Sequence, residues 1–218
     1  MMSKKATDKD FMEIKMKKVI YLLVATFCFF NCLNAQATIE ASKAEDFVKK
    51  VTSEGIEDII NANVSQAEKD ARFEKLFNSA LDLDFIGQFV LGRNWRTATV
   101  EQRREFIKVY RELNIKTWSQ RFDEFKGKNF DFSGTSPSSS KGQIFVNSFV
   151  KMDAGEPAKV VWRVREKAGQ YKIVDIIIEN VSLAITARNE YSAFIKNNAG
   201  GVNALIADLQ NKVNNQKK

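Results

Sequence analysis

The chain has 218 residues and a formal net charge of +7, and it contains no histidine and only two cysteines. Both cysteines, Cys28 and Cys32, lie within the first 37 residues, so the rest of the chain can form no disulfide, thiolate metal site or cysteine nucleophile. The lack of histidine excludes a Ser-His-Asp triad and the usual zinc ligand. We therefore predict that the protein is not an enzyme and holds neither a metal nor a cofactor.

The N-terminal segment has the three-part pattern of a secretory signal peptide. Met16-Lys17-Lys18 precede an apolar run, Val19 to Phe30, and a polar step leads to the small-residue site Ala35-Gln36-Ala37. The run has 12 residues, whereas a helix needs about 20 to span a bilayer. We predict that residues 1–37 are a signal peptide with its start at Met16. The mature protein would then begin at Thr38 and reside in the periplasm.

Beyond residue 37, basic residues exceed acidic ones by four. This excess is too small to indicate a nucleic-acid-binding surface. It would suit weak attraction to an anionic membrane or an acidic partner, although most excesses of this size serve only solubility. The same part of the chain keeps 13 Phe and three Trp, whose rings can fill a core or line an apolar cavity.

Apolar residues recur at helical spacing in four segments of the first half. Ser65 is predicted to cap the second helix and Asp82 the third, which ends at Gly92. Thr99 to Gln102 forms a capping box that opens the longest helix. The predicted helices are Ile39 to Ala62, Ser65 to Ala80, Leu83 to Leu91 and Val100 to Phe125, the last stopping at Gly127.

The second half begins with strand-like runs separated by turn residues. Asp153 to Pro157 and Lys167 to Gly169 are typical hairpin connections, so the sheet is predicted to be antiparallel, while Ser133 to Gly142 is predicted to be a loop. The four predicted strands are Asn129–Ser133, Gln143–Met152, Ala158–Glu166 and Gln170–Glu179.

The predicted strands are apolar on both faces. Alternation in the last strand places Tyr171, Ile173 and Ile177 on one face and Val174, Ile176 and Ile178 on the other. In the second strand Ile144, Val146 and Val150 lie opposite Phe145 and Phe149. A half-exposed antiparallel sheet would be polar on one side. This sheet is therefore expected to be covered on both faces, or covered on one and hollow on the other.

Two more helices are predicted after the sheet. Ser182 caps a helix that continues to Ile195, and Gly200-Gly201 separates it from a last helix, Val202 to Val213. The predicted fold class is α+β, with a curved antiparallel sheet of four strands wrapped by helices and a helical annex. One domain would span residues 38–213, followed by a polar tail, 214–218.

Two pairs of acidic residues invite a catalytic interpretation. Asp82 and Asp84 flank a helix start, where capping is the better explanation. Asp175 and Glu179 lie four apart on one strand, a spacing that resembles an acid/base pair. A structural role facing Arg163 or Arg165 is the better explanation.

Arg93 and Arg96 flank Trp95 and could hold a phosphate group. The alternative is that they stack on Trp95 or pair with a carboxylate. Gly200-Gly201 lacks the strand-turn-helix context of a phosphate-binding loop.

Several blocks resemble a known family. Phe89 to Thr99, with Gln102-Arg103 and Phe106, resembles the signature of the MlaC family of periplasmic phospholipid-binding proteins, also called the toluene-tolerance auxiliary component. Its later blocks are similar to Tyr171–Asp175, Glu179–Leu183, Arg188–Tyr191 and Gly200–Leu205. Two departures are Asn180, where glycine is usual, and Trp118, where tyrosine is common.

The resemblance implies a monomeric periplasmic carrier of phospholipid that binds no nucleic acid. Such a carrier moves lipid between an outer-membrane lipoprotein–porin complex and an inner-membrane ABC transporter with its membrane-anchored substrate-binding component, and it helps to keep the outer leaflet free of phospholipid. The family holds acyl chains in a deep apolar cavity between an NTF2-like sheet and helices, and leaves the headgroup largely outside. The alternatives are a carrier of a hopanoid-like lipid or of lipoprotein acyl chains, and an NTF2-like enzyme that uses Asp175 or Glu179.

We predict that the acyl-chain cavity is lined by the third and fourth helices and the sheet. A helical annex hinged near Gly92 and Gly200-Gly201 is expected to open it, unless these glycines are simple helix caps. The residues predicted to line the cavity are Phe85, Phe89, Val90, Leu91, Phe106, Tyr110, Leu113, Trp118, Phe145, Val161, Ile176 and Ile178.

Overall fold

The computed structural model describes residues 40–121, 128–151 and 155–216. The predicted signal peptide and its cleavage site lie outside the described residues. Among those residues, no helix has the length and apolar character needed to cross a membrane.

The first predicted helix is continuous in space but changes its winding. Helix α1, Ala41–Lys50, passes into a π-helical segment, Val51–Glu57, and then into α2, Asp58–Asn61. At the transition the Thr52 hydroxyl donates to the Val48 carbonyl (3.0 Å), and the Ser53 hydroxyl donates to the Lys49 carbonyl (2.7 Å). These hydroxyls compete with backbone N–H groups for carbonyls of the preceding turn, which favours a locally widened helix.

The next helices follow the predicted caps. Helix α3, Gln66–Ala80, is capped by Ser65, and α4, Leu83–Leu91, by Asp82. A short helix not predicted from the sequence, α5, covers Asn94–Thr97.

Helix α6, Val100–Ser119, opens with the predicted capping box, in which Gln102 N–H donates to the Thr99 hydroxyl and Thr99 N–H to the Gln102 side chain. It ends six residues before the predicted Phe125, because Gln120 and Arg121 already form a turn. Phe125 and Gly127 lie outside the described residues.

The sheet is antiparallel throughout, as predicted, and its strands follow chain order. It has five strands rather than four, the fifth being only two residues long. The first strand reaches Pro137 through a register shift near Gly134, so Ser133–Pro137 is strand and not loop. Met152 to Ala154, part of a predicted strand end and turn, lie outside the described residues. The strands are β1 Phe130–Pro137, β2 Gln143–Val150, β3 Ala158–Lys167, β4 Gln170–Ile178 and β5 Val181–Ser182.

A bulge in β4 changes which residues share a face. Trp162 pairs with Ile176, whereas Val164 pairs with Ile173, so Val174 is an extra residue in β4. Ile173 therefore lies on the same face as Ile176 and Ile178, and the prediction that it lies opposite them is wrong. Strict alternation fails here because a bulge inverts the pattern on one side of it.

Two helices complete the fold. Helix α7, Leu183–Asn197, begins at the predicted Ser182 cap, and α8, Gly201–Asn215, follows the Gly200-Gly201 break. Leu205, Leu209 and Val213 of α8 pack with Phe106 and Val109 of α6 in a buried helical core.

The two faces of the sheet are covered unequally. Val146 and Val164 on one face are fully buried against Ala44 and Val48 of α1. On the other face Phe145 is only half-buried, and Phe149 is 37% exposed. Cover on both faces is therefore not observed, and the hollow lies on the covered face.

Candidate functional site

A cavity of about 340 Å³ lies between the covered face of the sheet and helices α3, α4, α6 and α7. Its wall is apolar except for a few side chains. The lining residues are Val51, Phe73, Leu76, Phe77, Ala80, Leu81, Leu83, Ile86, Tyr110, Asn114, Thr117, Trp118, Phe130, Val160, Trp162, Ile173, Val174, Asp175, Ile176, Ile178, Leu183, Ala184, Ala187 and Tyr191.

Trp162 is the largest side chain on the sheet side of the cavity. Its indole N–H donates to the Ser148 hydroxyl (3.0 Å), which donates in turn to the Val160 carbonyl (2.9 Å). The Phe130 ring meets the indole edge-on, with centroids 5.5 Å apart. Because the one polar atom of the indole is satisfied by a buried hydroxyl, the remaining ring surface is free to serve as an apolar wall.

The polar side chains of the helical wall are neutral or already bonded. The Asn114 amide donates to the Tyr110 carbonyl (2.7 Å), and Thr117 accepts from Gln216 (3.1 Å). Burial raises the pKa of Tyr191 to about 12, aided by Glu190 and Asp208. Burial also raises the pKa of the Tyr110 hydroxyl above its ordinary value, with a smaller contribution from Tyr191. Neither phenol is ionised at neutral pH, so this wall carries no phenolate.

Asp175 places a carboxylate in the wall, but its oxygens are engaged. It accepts the Ser182 hydroxyl (2.6 Å) and the Ala184 N–H (3.0 Å), and Arg163 lies 4.0 Å away. The carboxylate thus fixes the start of α7 against β4. Glu179 lies in the turn after β4 and accepts from the Lys159 N–H. The structural interpretation therefore fits both acids better than an acid/base pair.

Asp82 also has the predicted structural role. It caps α4 by accepting the Phe85 N–H (3.3 Å), and Arg165 and Lys167 each approach one of its oxygens to 3.5 Å. Asp84 is exposed, with Arg111 4.0 Å away. Within residues 40–121, 128–151 and 155–216, no cluster of three or more His, Cys, Asp or Glu could hold a metal ion.

The segment Phe89 to Thr99, which resembles the family signature, forms a junction between helices and not a wall of the cavity. Gly92 has φ 56°, and a Cβ at this position would lie 3.0 Å from the Arg188 Nε of α7. Arg103 lies over the Trp95 ring at 5.3 Å and donates to the Trp95 carbonyl (2.8 Å). Arg103 therefore stacks on Trp95, in place of Arg93 or Arg96. Arg93 and Arg96 are both exposed.

Of the twelve residues predicted to line the cavity, four do so: Tyr110, Trp118, Ile176 and Ile178. The helical core takes Val90, Leu91 and Phe106, while Phe85, Phe89 and Leu113 pack against it. Phe145 and Val161 lie on the other face of the sheet, where Arg163 covers the Phe145 ring at 5.2 Å. The six on α4 and α6 lie on the sides of these helices that pack into the helical core, and the two on the strands lie on the face of the sheet opposite the cavity.

Sequence reasoning missed the contribution of α3. Phe73, Leu76 and Phe77 line the cavity, but their helical spacing is the same as that of an ordinary core stripe. Tyr191 of α7 lies in a block that resembles the family, and this was the only sequence signal that could have singled it out.

Comparison with known proteins agrees with this architecture. The sequence profile of the MlaC protein family matches residues 46–211. The intermembrane phospholipid transport system binding protein MlaC of Haemophilus influenzae is 22% identical over 211 residues, which cover 90% of this chain and 94% of that protein. A phospholipid-binding protein from Ralstonia solanacearum, solved with a phospholipid, has the same fold, with a TM-score of 0.70, 22% identity and coverage of 80% of this chain and 99% of that one. The chain therefore belongs to the MlaC family.

Proposed function

We propose that this protein is a periplasmic carrier that binds phospholipid acyl chains in the cavity between the sheet and helices α3, α4, α6 and α7. The observation that carries the proposal is the cavity itself, with its apolar wall and its polar groups neutral or already bonded. The relatives named for phospholipid binding and transport support it. The signal-peptide pattern of residues 1–37 supports the location.

The apolar wall matches the energetic demand on a carrier. Burying an acyl chain is worth about 0.8 kcal/mol per methylene, so two chains of about 16 carbons represent roughly 25 kcal/mol of gross transfer free energy. A carrier must recover most of this, or lipid would not leave the bilayer. Apolar side-chain surfaces such as those of Ile176 and Trp162 can recover it, whereas polar groups cannot.

The cavity must widen when it is loaded. Pockets for drug-sized ligands span about 300–1,000 Å³, and at about 340 Å³ this cavity lies near the lower limit of that range. A two-chain phospholipid is larger than such ligands. Helices that cover the cavity must therefore move outward, and α7 with α8 is our proposed moving part. Both candidate hinges, Gly92 and Gly201, have positive φ and lie at helix ends, which also fits simple caps.

The partners belong to the same proposal. A monomeric carrier would receive and deliver lipid while docked to an outer-membrane lipoprotein–porin complex and to an inner-membrane ABC transporter with its membrane-anchored component. Free dissociation of two buried chains into water would be very slow, so exchange takes place in the docked state. No catalytic step is part of this function.

Two neighbouring residues allow a matched test of the cavity. Ile176 lines it, whereas Ile177 points to the other face of the sheet, and both are half-buried. Ile176→Glu places a charge in the space an acyl chain would take, and should abolish phospholipid co-purification measured by native mass spectrometry. Ile177→Glu should retain the phospholipid mass seen in the wild-type protein.

Other outcomes of this mass spectrometry experiment would change or contradict the proposal. Adducts of another mass, such as a hopanoid-like lipid, would redirect the proposal to another apolar ligand. Wild-type protein without any adduct, or a folded Ile176→Glu variant with full phospholipid occupancy, would contradict the proposed site. Circular dichroism of both variants shows whether they are folded.

A further inference from the structure

One short basic segment has no role in the proposed function. Residues 93–104 contain Arg93, Arg96, Arg103 and Arg104 but only one acidic residue, Glu101. This gives the segment a local excess of three positive charges.

Arg103 holds this segment together. Its guanidinium donates to the Trp95 carbonyl (2.8 Å) and the Arg96 carbonyl (3.3 Å) and lies over the Trp95 ring. These contacts fix α5 against the first turn of α6, which brings the Arg96 backbone beside the Arg103 guanidinium. The partners of Arg103 are carbonyls and a ring, so they leave its positive charge uncompensated.

The remaining arginines point outward. Arg93, Arg96 and Arg104 are exposed. The ion pairs among the residues that the structure describes involve none of these three. Glu101 is held by hydrogen bonds to its own backbone N–H and to Thr99, which lower its pKa, with a smaller contribution from Arg104. Between the arginines, Val100 exposes 62% of its surface.

We propose that this arginine patch, formed by Arg93, Arg96, Val100 and Arg104, docks on the surface of an anionic phospholipid bilayer. Guanidinium groups match phosphate oxygens in a bidentate geometry, and each basic residue near an anionic surface contributes about 1 kcal/mol. An exposed valine among arginines suits the boundary between headgroups and acyl chains. The inference goes beyond the proposed function, since it concerns how the protein meets a membrane and not what it carries.

The patch lies at the end of α6 that does not line the cavity. Val100 begins α6, and Tyr110, the first residue of this helix that lines the cavity, lies ten positions further on, which corresponds to roughly 15 Å along the helix axis. Docking through Val100 therefore leaves the cavity wall free, and the two functions can be tested separately.

The test is co-sedimentation of the purified protein, without its first 37 residues, with vesicles. One set contains phosphatidylcholine alone, and the other contains phosphatidylglycerol as about one third of the lipid, at about 50 and about 500 mM salt. The triple variant Arg93→Gln, Arg96→Gln, Arg104→Gln is compared with Lys75→Gln, Lys141→Gln, Lys196→Gln, which removes the same charge from exposed positions elsewhere.

We expect the wild-type protein and the lysine variant to bind anionic vesicles at low salt, and the arginine variant to bind roughly 100-fold more weakly. High salt or vesicles of phosphatidylcholine alone should abolish binding. Equal binding by both variants, or no binding by the wild-type protein, would overturn the proposal. Native mass spectrometry of the arginine variant should still show the carried lipid, so a failure of the patch is distinguishable from a failure of the cavity.

Discussion

The two faces of the sheet have similar apolar content but different surroundings. One face, with Val146, Trp162 and Ile173, is buried under helices and encloses the cavity. The other, with Phe145 and Phe149, is only partly covered, and Arg163 lies over the Phe145 ring. Apolar content therefore does not decide which face becomes a binding site. The helices decide it, because they cover one face while leaving a hollow beneath them.

The largest effect should come from truncating matched aromatic residues on the two faces. Trp162→Ala removes a buried indole and its hydrogen bond to Ser148, and should lower the free energy of unfolding by about 3–5 kcal/mol. Phe149→Ala, at a position 37% exposed, should cost about 1 kcal/mol or less. Urea unfolding of both variants measures the difference. Equal costs would show that the partly covered face is buried in solution.

High pH should weaken the wall of the cavity. Burial raises the pKa of Tyr191 in the folded protein to about 12. The contribution of the neutral phenol to the free energy of unfolding is therefore fully present below the ordinary tyrosine pKa of about 10. It is lost as the pH rises from about 10 to about 12, since the unfolded chain ionises first. The loss corresponds to about 2–3 kcal/mol. Tyr191→Phe should remove this part of the pH dependence of the free energy of unfolding. If the variant shows the same dependence between about pH 10 and 12 as the wild-type protein, the Tyr191 phenol is not buried in the wall at α7.

Smaller effects on stability are expected at two helix ends, Gly92 after α4 and Gly201 at the start of α8. Gly92 and Gly201 both have positive φ, but only Gly92 has a close neighbour, Arg188. Gly201→Ala should cost about 1 kcal/mol from backbone strain alone, and Gly92→Ala about 2 kcal/mol because the guanidinium must also move. Thermal unfolding compares the two. If lipid exchange between vesicles slows while stability hardly changes, the glycines act as hinges and not as caps.

Local signals predicted the helix starts well, because each cap is a short-range hydrogen bond. Ser65, Asp82, Thr99 and Ser182 all cap as the sequence indicates. The antiparallel sheet followed from its turns. Family resemblance, and not periodicity, supplied the cavity between sheet and helices.

The lining of the cavity could not be predicted in the same way. Core and cavity residues have the same chemistry, so Phe77 and Phe106 look alike in the sequence although only Phe77 lines the hollow. The bulge at Val174 decides the orientation of Ile173, and no turn residue marks it. Which side of α6 faces the cavity depends on the packing of α7 and α8, whose contacts with it are distant in the sequence.

The irregular first strand has a consequence for self-association. β1 forms one edge of the sheet, and long regular edges offer unpaired backbone groups to a second copy of the same chain. The register shift near Gly134 twists this edge, and Pro137 ends it without an N–H to donate. At the other end β5 is only two residues long. Both features disfavour pairing of these edges with a second copy of the chain.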